Sequence, residues 1–515
     1  MNKIRAILIV FFFLFISTGT AFAQNNRFGI HIIEEQDLED AANLVNSQGG
    51  DWGYVTLVIR QDDRDVAKWQ KIFDKMRRLH LIPLVRLATQ SKGSTWVKPT
   101  PDQAAQWVSF LNSLNWVVQK RFVILFNEPN HDKEWGGKSD PAEYTKIVNE
   151  FASELRKSNS DYFILPAGFD LSAGNTPGTM DVEDFYNQMY KVDPQIFKLF
   201  DGWSSHSYPN PNFSGSVDAT GRQSIRGYKW ELSNLSSKGL RSDIPVFITE
   251  TGWAHKEGVL NLTSALPADN LADLLKAAYE KVWNDNQIWA VTPFVLSYLD
   301  PPFDHFSWRD NHSKQFFKFY ETVKNMPKLA GRPQQISNID FSESPLPTKL
   351  FVSSFYTFDP KIKNTGQSIW KEGDVTVKFE SKFGIISAKT GAIPALEPGQ
   401  ESPLKFSLET AKDPSTDSLR IEFFHKGKPI GKQIVAEIQT LAPAALVVKN
   451  ILGWKTNTTA HDYKLVIYDG DRFVKEFVSF SVVNGIGKIE EIHNIVPNKM
   501  YRFVLLKKGY LPKQL

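Results

Sequence analysis

Cysteine is absent from the 515 residues. Disulfide bonds and lipid attachment at a cysteine are therefore excluded, and the fold has to be held by large packed cores. An excess of one charge is missing too. The formal net charge is +3, and it falls to +1 without residues 1–23, which carry Lys3 and Arg5 and no acid. Near-neutrality argues against a nucleic acid or another polyanion as partner, because phosphate binding needs a basic surplus. Past the amino-terminal stretch, no apolar run approaches the ~20 residues a membrane-spanning helix requires. There is no His-x-x-x-His pair, no aspartate-rich calcium loop and no glycine-rich phosphate loop after the first strand. No metal, nucleotide or flavin cofactor is expected on that basis. His131-Asp132 is too short a pair to hold an ion by itself.

At the amino terminus, Lys3 and Arg5 precede an apolar run from Ala6 to Ile16, and Ala21-Phe22-Ala23 follows a polar step. This is the pattern of a secretory signal peptide over residues 1–23, cleaved before Gln24. It predicts a secreted or extracytoplasmic protein, periplasmic or at the cell surface, with no stable membrane insertion after cleavage. A retained anchor is the alternative, and the run is short for that role.

The patterning changes character near residue 330. Before it, short apolar strands alternate with amphipathic helices. The strands read as 28–32, 53–59, 81–87, 122–127, 162–167, 200–206, 245–250 and 290–296. Thr100-Pro101-Asp102-Gln103 and Asp140-Pro141-Ala142-Glu143 each have the form of a helix start. Later helices are expected at about 268–285 and 313–325. Eight strand–helix units over this length predict a (β/α)8 TIM barrel for residues 24–330, since that fold runs to about 250 residues. A doubly wound open sheet is the alternative, and it has no need of eight similar units. Residues 331–346 are rich in Gly, Pro and Ser and read as a linker. Beyond them no convincing helix is visible. Residues 347–441 read as an immunoglobulin-like β-sandwich and 442–515 as a small β-sandwich domain, with a monomer expected.

Two strands end in a glutamate. Phe122-Val-Ile-Leu-Phe-Asn-Glu-Pro-Asn130 delivers Glu128 after the fourth, and Pro245-Val-Phe-Ile-Thr-Glu-Thr-Gly-Trp253 delivers Glu250 at the end of the seventh. In a barrel these carboxyl ends face one pocket. Two facing carboxyls are what glycosidic bond cleavage requires.

With these residues the chain resembles the clan A retaining glycoside hydrolases, over about residues 28–325. The resemblance implies that Glu128 is the general acid/base, Glu250 the nucleophile and Asn127 the ligand of the sugar 2-hydroxyl. It also implies that His206 and Tyr208, at the end of the sixth strand, lie by the nucleophile. The chemistry asks that Glu128 hold a proton while Glu250 is ionised. Arg60 or Arg86, near the ends of the second and third strands, could keep Glu250 ionised. His31 reads as a buried, satisfied histidine, and Asp170 is a weaker sugar contact.

Of the 14 tryptophans, Trp96, Trp135, Trp253 and Trp308 follow strands 3, 4, 7 and 8. At least two of them are expected to line sugar subsites, with Trp253 and Trp308 nearest the cleavage point, because flat aromatic faces suit sugar rings. Trp370 and Trp454 read as core or as carbohydrate platforms. The favoured function is a secreted retaining β-glycosidase acting on a poly- or oligosaccharide. The alternative is a non-catalytic carbohydrate-binding or cell-surface scaffold, which would be free to lose Glu128, Glu250, Asn127 and Tyr208. Transglycosylation would use the same residues.

Overall fold

The computed structural model describes residues 25–342, 346–453, 459–493, 495 and 499–515. Residues 1–23 and Trp454 lie outside that set. The chain divides into two compact units, one ending at Ile336 and the other running from Ser337.

The first unit is mixed α/β. Its long parallel strands are β1 (Gly29–His31), β2 (Gly53–Arg60), β3 (Leu81–Ala88), β4 (Arg121–Leu125), β5 (Tyr162–Pro166), β6 (Trp203–His206), β7 (Val246–Glu250) and β8 (Ile288–Val291). The first five form one sheet in sequence order, and the last three form another. Two parallel single bridges join the sheets, Phe28 to Val291 at one side and Asp170 to His206 at the other. Strands covered on both faces read as unbroken apolar runs. That is why β5 and β7 are buried at every residue. Rings from five strands meet in one interior cluster. Phe122 packs 5.1 Å from Phe163 and 6.1 Å from Tyr54, and Phe247 lies 5.9 Å from Trp289.

The helices are α1 (Leu38–Val45), α2 (Val66–Arg78), α3 (Gln103–Ser113), α4 (Pro141–Ser158), α5 (Val182–Val192), α6 (Gly227–Ser236), α7 (Ala268–Lys281) and α8 (Lys318–Lys324). Helix α4 buries Tyr144, Ile147, Val148, Phe151 and Leu155, a three-and-four spacing that makes one stripe. It opens as its sequence predicts: Asp140 accepts from the Glu143 amide at 3.0 Å with Pro141 in the first turn.

Helix α3 starts later than expected. Gln103 accepts from the Thr100 amide at 3.1 Å, but Asp102 makes no capping bond and Pro101 sits in a preceding turn. The expected 313–325 helix begins only at Lys318. Asp310 instead accepts from the His312 amide and the Ser313 hydroxyl, holding a turn that competes with helix.

Among its described residues the second unit contains strands and no helix. It holds two separate hydrophobic cores. One is built around Trp370, Leu408 and Ile421, and the other around Tyr463, Leu465 and Ile467. Trp370 is fully buried and is therefore core rather than a carbohydrate platform. The linker reading of residues 331–346 is corrected. The Gly331 amide donates to Asp51 and the Gln335 side chain donates to Val117 within the first unit. Ile339–Ser342 is a strand antiparallel to Lys361–Asn364. Composition suggested a linker because it does not reveal backbone bonds made to distant segments.

Candidate active site

Strand β4 stops at Leu125, and the next residues turn sharply. Phe126 has φ +75° and Glu128 has φ +30°, a left-handed region that costs a non-glycine residue about 1–3 kcal/mol. The surroundings hold this shape. The Phe126 ring packs against Trp135 and Phe151, and the Glu128 amide donates to Gly168 at 3.0 Å. Asn130, fully buried, donates to the carbonyls of Asp170 and Met180 and accepts from the Asp170 amide. The result is that successive residues Asn127 and Glu128 both line one pocket of about 980 Å³.

Strand β6 brings His206 to that pocket. Its Nδ1 lies 2.8 Å from Glu128 Oε1 and 3.8 Å from Glu250 Oε2. This placement needs a bare backbone opposite, because a Cβ at Gly168 would lie 2.0 Å from the imidazole. Burial pushes His206 down, and the Glu250 and Glu128 carboxyls outweigh it and raise the ring above its ordinary pKa.

Strand β7 ends in Glu250, whose side chain is 10% exposed. Arg86 donates from Nη1 both to Glu250 Oε1 and, at 2.7 Å, to Asn127 Oδ1. The Tyr208 hydroxyl donates to Glu250 Oε2 at 3.1 Å. Burial alone would raise the Glu250 pKa. The charges of His206 and Arg86 and the Arg86 hydrogen bond outweigh it and hold this carboxyl well below the usual range. His31, at the end of β1, sits 4.0 Å from Glu250 Oε1 with neither ring nitrogen hydrogen-bonded. It is therefore buried but not satisfied. Burial lowers it to about 3, so it is uncharged at neutral pH.

A third carboxyl stands beside these two. Glu134 accepts from Asn127 Nδ2 at 3.3 Å. Burial, and then the Glu128 charge, push it up to about 7. Glu128, His206 and Glu250 offer three ligand atoms within 4.8 Å of one another. A cation entering there would compete with the His206 proton and with the Arg86 guanidinium already on Glu250.

No family model and no curated protein matches the sequence. Among solved structures, the chain is similar to a monomeric beta-xylosidase from Caulobacter crescentus CB15, with TM-score 0.41, 14% identity, and 75% of this chain and 98% of that chain covered. It is also similar to an endo-beta-1,4-glucanase from Xanthomonas axonopodis pv. citri, with TM-score 0.39, 14% identity, and coverage of 58% and 98%. A beta-glucuronidase 2 of Bacteroides uniformis gives TM-score 0.39 and 9% identity over 93% of this chain and 64% of that one. Likeness of this degree leaves the site's own geometry to carry the functional reading.

The structure gathers Glu128, Glu250, Asn127, His206, Tyr208 and Arg86 around one pocket. Arg60 lines the same pocket but is half-exposed and paired with Asp62, so it does not hold Glu250. The tryptophan expectation needs correction. Trp253 and Trp308 are buried outside the pocket lining, Trp253 donating to the Gly215 carbonyl and Trp308 packing on Phe319. Trp135 touches the pocket but is 1% exposed, wedged between Phe126 and Tyr144. Trp96, partly exposed in a short hairpin, is the one of the four with an open face on the lining.

The aromatic wall comes instead from Phe213, Phe294, Tyr298, Phe303 and Phe306, on the loops after β6 and β8. Phe213 meets Phe306 at 5.0 Å and Phe303 meets Phe294 at 5.7 Å. Sequence reasoning missed these rings and Glu134. The signal available was position: Phe213 and Phe294–Phe306 directly follow strand ends, and Glu134 is six residues past Glu128 in the same loop.

Proposed function

We propose that this protein is a retaining β-glycosidase, with Glu250 as nucleophile and Glu128 as acid/base. The observation that carries the reading is the carboxyl spacing. Oxygens of Glu128 and Glu250 approach within 4.8 Å. Retaining enzymes hold their carboxyls about 5–5.5 Å apart, and inverting ones about 6.5–9.5 Å to admit a water. The parallel strands, the two bridges between their sheets and the shared interior ring cluster support a (β/α)8 barrel as the scaffold.

The roles follow from the hydrogen bonds. Arg86 and Tyr208 keep Glu250 ionised and fix its two oxygens, so that one can attack the anomeric carbon as the leaving oxygen departs. His206 Nδ1 lies 2.8 Å from Glu128 Oε1 and, with its proton on Nδ1, donates to it. That leaves Oε2 as the oxygen to carry the proton to the leaving group. Once a glycosyl-enzyme forms, the Glu250 charge is gone, and Glu128, now ionised, takes a proton from the incoming water. Asn127 Nδ2 is placed to donate to the 2-hydroxyl, a contact that strengthens in the transition state.

The test is a set of two variants and one stereochemical measurement. Reducing-sugar release over a polysaccharide panel should vanish for Glu250→Ala. Glu128→Ala should keep most activity on substrates with good leaving groups, and with azide it should form a β-glycosyl azide. An inverted product from the wild type would overturn the mechanism.

A further inference from the structure

We infer that the glycan this pocket accepts carries no anionic groups, and that uronate-bearing or sulfated chains are rejected. This rests on the glycosidase reading above, and it comes from the charges on the pocket wall. Four basic side chains line the pocket, and each is already held by a pocket carboxylate. Arg60 is paired with Asp62 at 3.0 Å and Lys68 with Asp63 at 2.6 Å. Arg86 is on Glu250, and His131 is 2.9 Å from Asp170. Glu34, Glu128 and Glu134 add three more carboxyls to the lining with no basic side chain of the lining bonded to them, apart from the Glu128–His206 contact below.

Recognition of a sugar carboxylate or sulfate calls for a cation free to give charge-assisted hydrogen bonds. Among the described lining residues none is free. At the exposed Arg60–Asp62 and Lys68–Asp63 pairs parting costs little, but Asp62 and Asp63 stay beside the cation and repel an anion there; at Arg86 the stranded carboxylate is the buried Glu250, where breaking a pair is most costly. His206, which the Glu128 and Glu250 carboxyls hold above its ordinary pKa, is 1% exposed and already donates to Glu128. The opposite wall offers the apolar rings of Phe213, Phe294, Phe303 and Phe306. Phe213 is 36% and Phe303 46% exposed, which leaves ring faces open to the uncharged face of a sugar.

The test is binding and turnover on matched glycans. The Glu128→Gln protein, which leaves Arg86 on Glu250, is titrated calorimetrically with neutral β-linked oligosaccharides of glucose, xylose and mannose, with hyaluronan and glucuronoxylan oligosaccharides, and with the carboxyl-reduced forms of the last two. One uncompensated like-charge contact at about 7 Å and an effective dielectric constant of about 20 weakens binding by on the order of 50-fold. Carboxyl reduction should therefore strengthen binding by about that factor wherever the backbone fits, and at least one neutral glycan should bind. The double variant Asp62→Asn/Asp63→Asn frees Arg60 and Lys68 and should narrow the gap by about tenfold for one released pair. Uronate chains that bind as well as their reduced forms overturn the inference, as does failure of every neutral glycan to bind. Neutral glycans that bind the variant yet release no reducing ends with the wild type would refute the catalytic reading and leave the substrate class standing.

Discussion

Arg86→Met deletes one charge and keeps the unbranched stem. In the wild type this guanidinium touches Glu250, with side chains only 14% and 10% exposed. Removing one partner of a buried pair costs about 3–5 kcal/mol if the remaining charge persists. Glu250 can escape most of that cost by taking up a proton. At about 1.36 kcal/mol per pH unit, 3 kcal/mol corresponds to a pKa rise of about two units.

The pH dependence of stability then flattens. In the wild type the folded pKa lies below the unfolded one. Ionised Glu250 thus contributes stability that is present above the unfolded value of about 4.3 and lost as pH falls through the folded value. In the variant a rise of about two units carries the folded value from about 2 to about 4, close to the unfolded one. Glu250 then contributes little stability that depends on pH. The acid limb of kcat/KM should move up by about two pH units, so activity at the foot of that limb falls about 100-fold and is regained above about pH 6. Arg86→Lys keeps a charge but not the planar fork shared with Asn127, and should lie between the two. Profiles of kcat/KM and thermal melts from about pH 2 to 8 measure both effects. A loss of activity that is equal at every pH, with the acid limb unmoved, would refute the electrostatic role and leave Arg86 as a support for Asn127.

Tyr208→Phe removes the 3.1 Å donor to Glu250 and should lower kcat by about 10- to 100-fold with little change in KM, in line with loss of one preorganised donor; unchanged kcat would make the tyrosine structural. Glu134→Gln removes a carboxyl that burial lifts to about 7. A folded pKa above the unfolded one gives stability that is full below about pH 4.3 and lost as pH rises through about 7. The variant should therefore melt higher than the wild type at pH 8, with that advantage gone by pH 4; a constant difference would rule out titration of Glu134. A signal peptide over residues 1–23 predicts a mature protein that begins at Gln24 by amino-terminal sequencing, and membrane-bound protein retaining residues 1–23 would favour an anchor.

Much of the first unit's architecture was legible because its signals are local. Strand β5 is apolar throughout and strand β4 ends abruptly at Asn127-Glu128, so both show in the sequence. The Asp140-Pro141 start of α4 is a backbone device that four residues encode. The side chains that meet across the pocket were legible only where position narrowed the choice. Arg60 and Arg86 sit at comparable strand ends, and sequence could not separate them. The two share a face of the sheet, but Arg60 lies further along, level with Ala88, and pairs with Asp62, whereas Arg86, level with Val58, meets Glu250. The tryptophans misled for a related reason. A loop address says that a residue lies at the mouth of the pocket, not whether its ring turns in or packs down. Trp253 packs down because its indole N–H finds the Gly215 carbonyl. The phenylalanines, lacking a polar handle, form the open wall. Glu134 escaped notice because its importance lies in burial, which a lone acid in a polar loop does not announce.

The double bond made by Arg86 Nη1 has a mechanical meaning. Asn127 adjoins Glu128 in the chain, so this single nitrogen ties the loop that carries Glu128 to the side chain of Glu250. It acts as a fixed spacer, and the gap between the two carboxyls is set by the reach of one guanidinium rather than by the drift of two independent loops. Any attempt to widen that gap, for instance to seat a water between the two carboxyls, would first have to cut this tie. Moving either glutamate alone would pull the other with it.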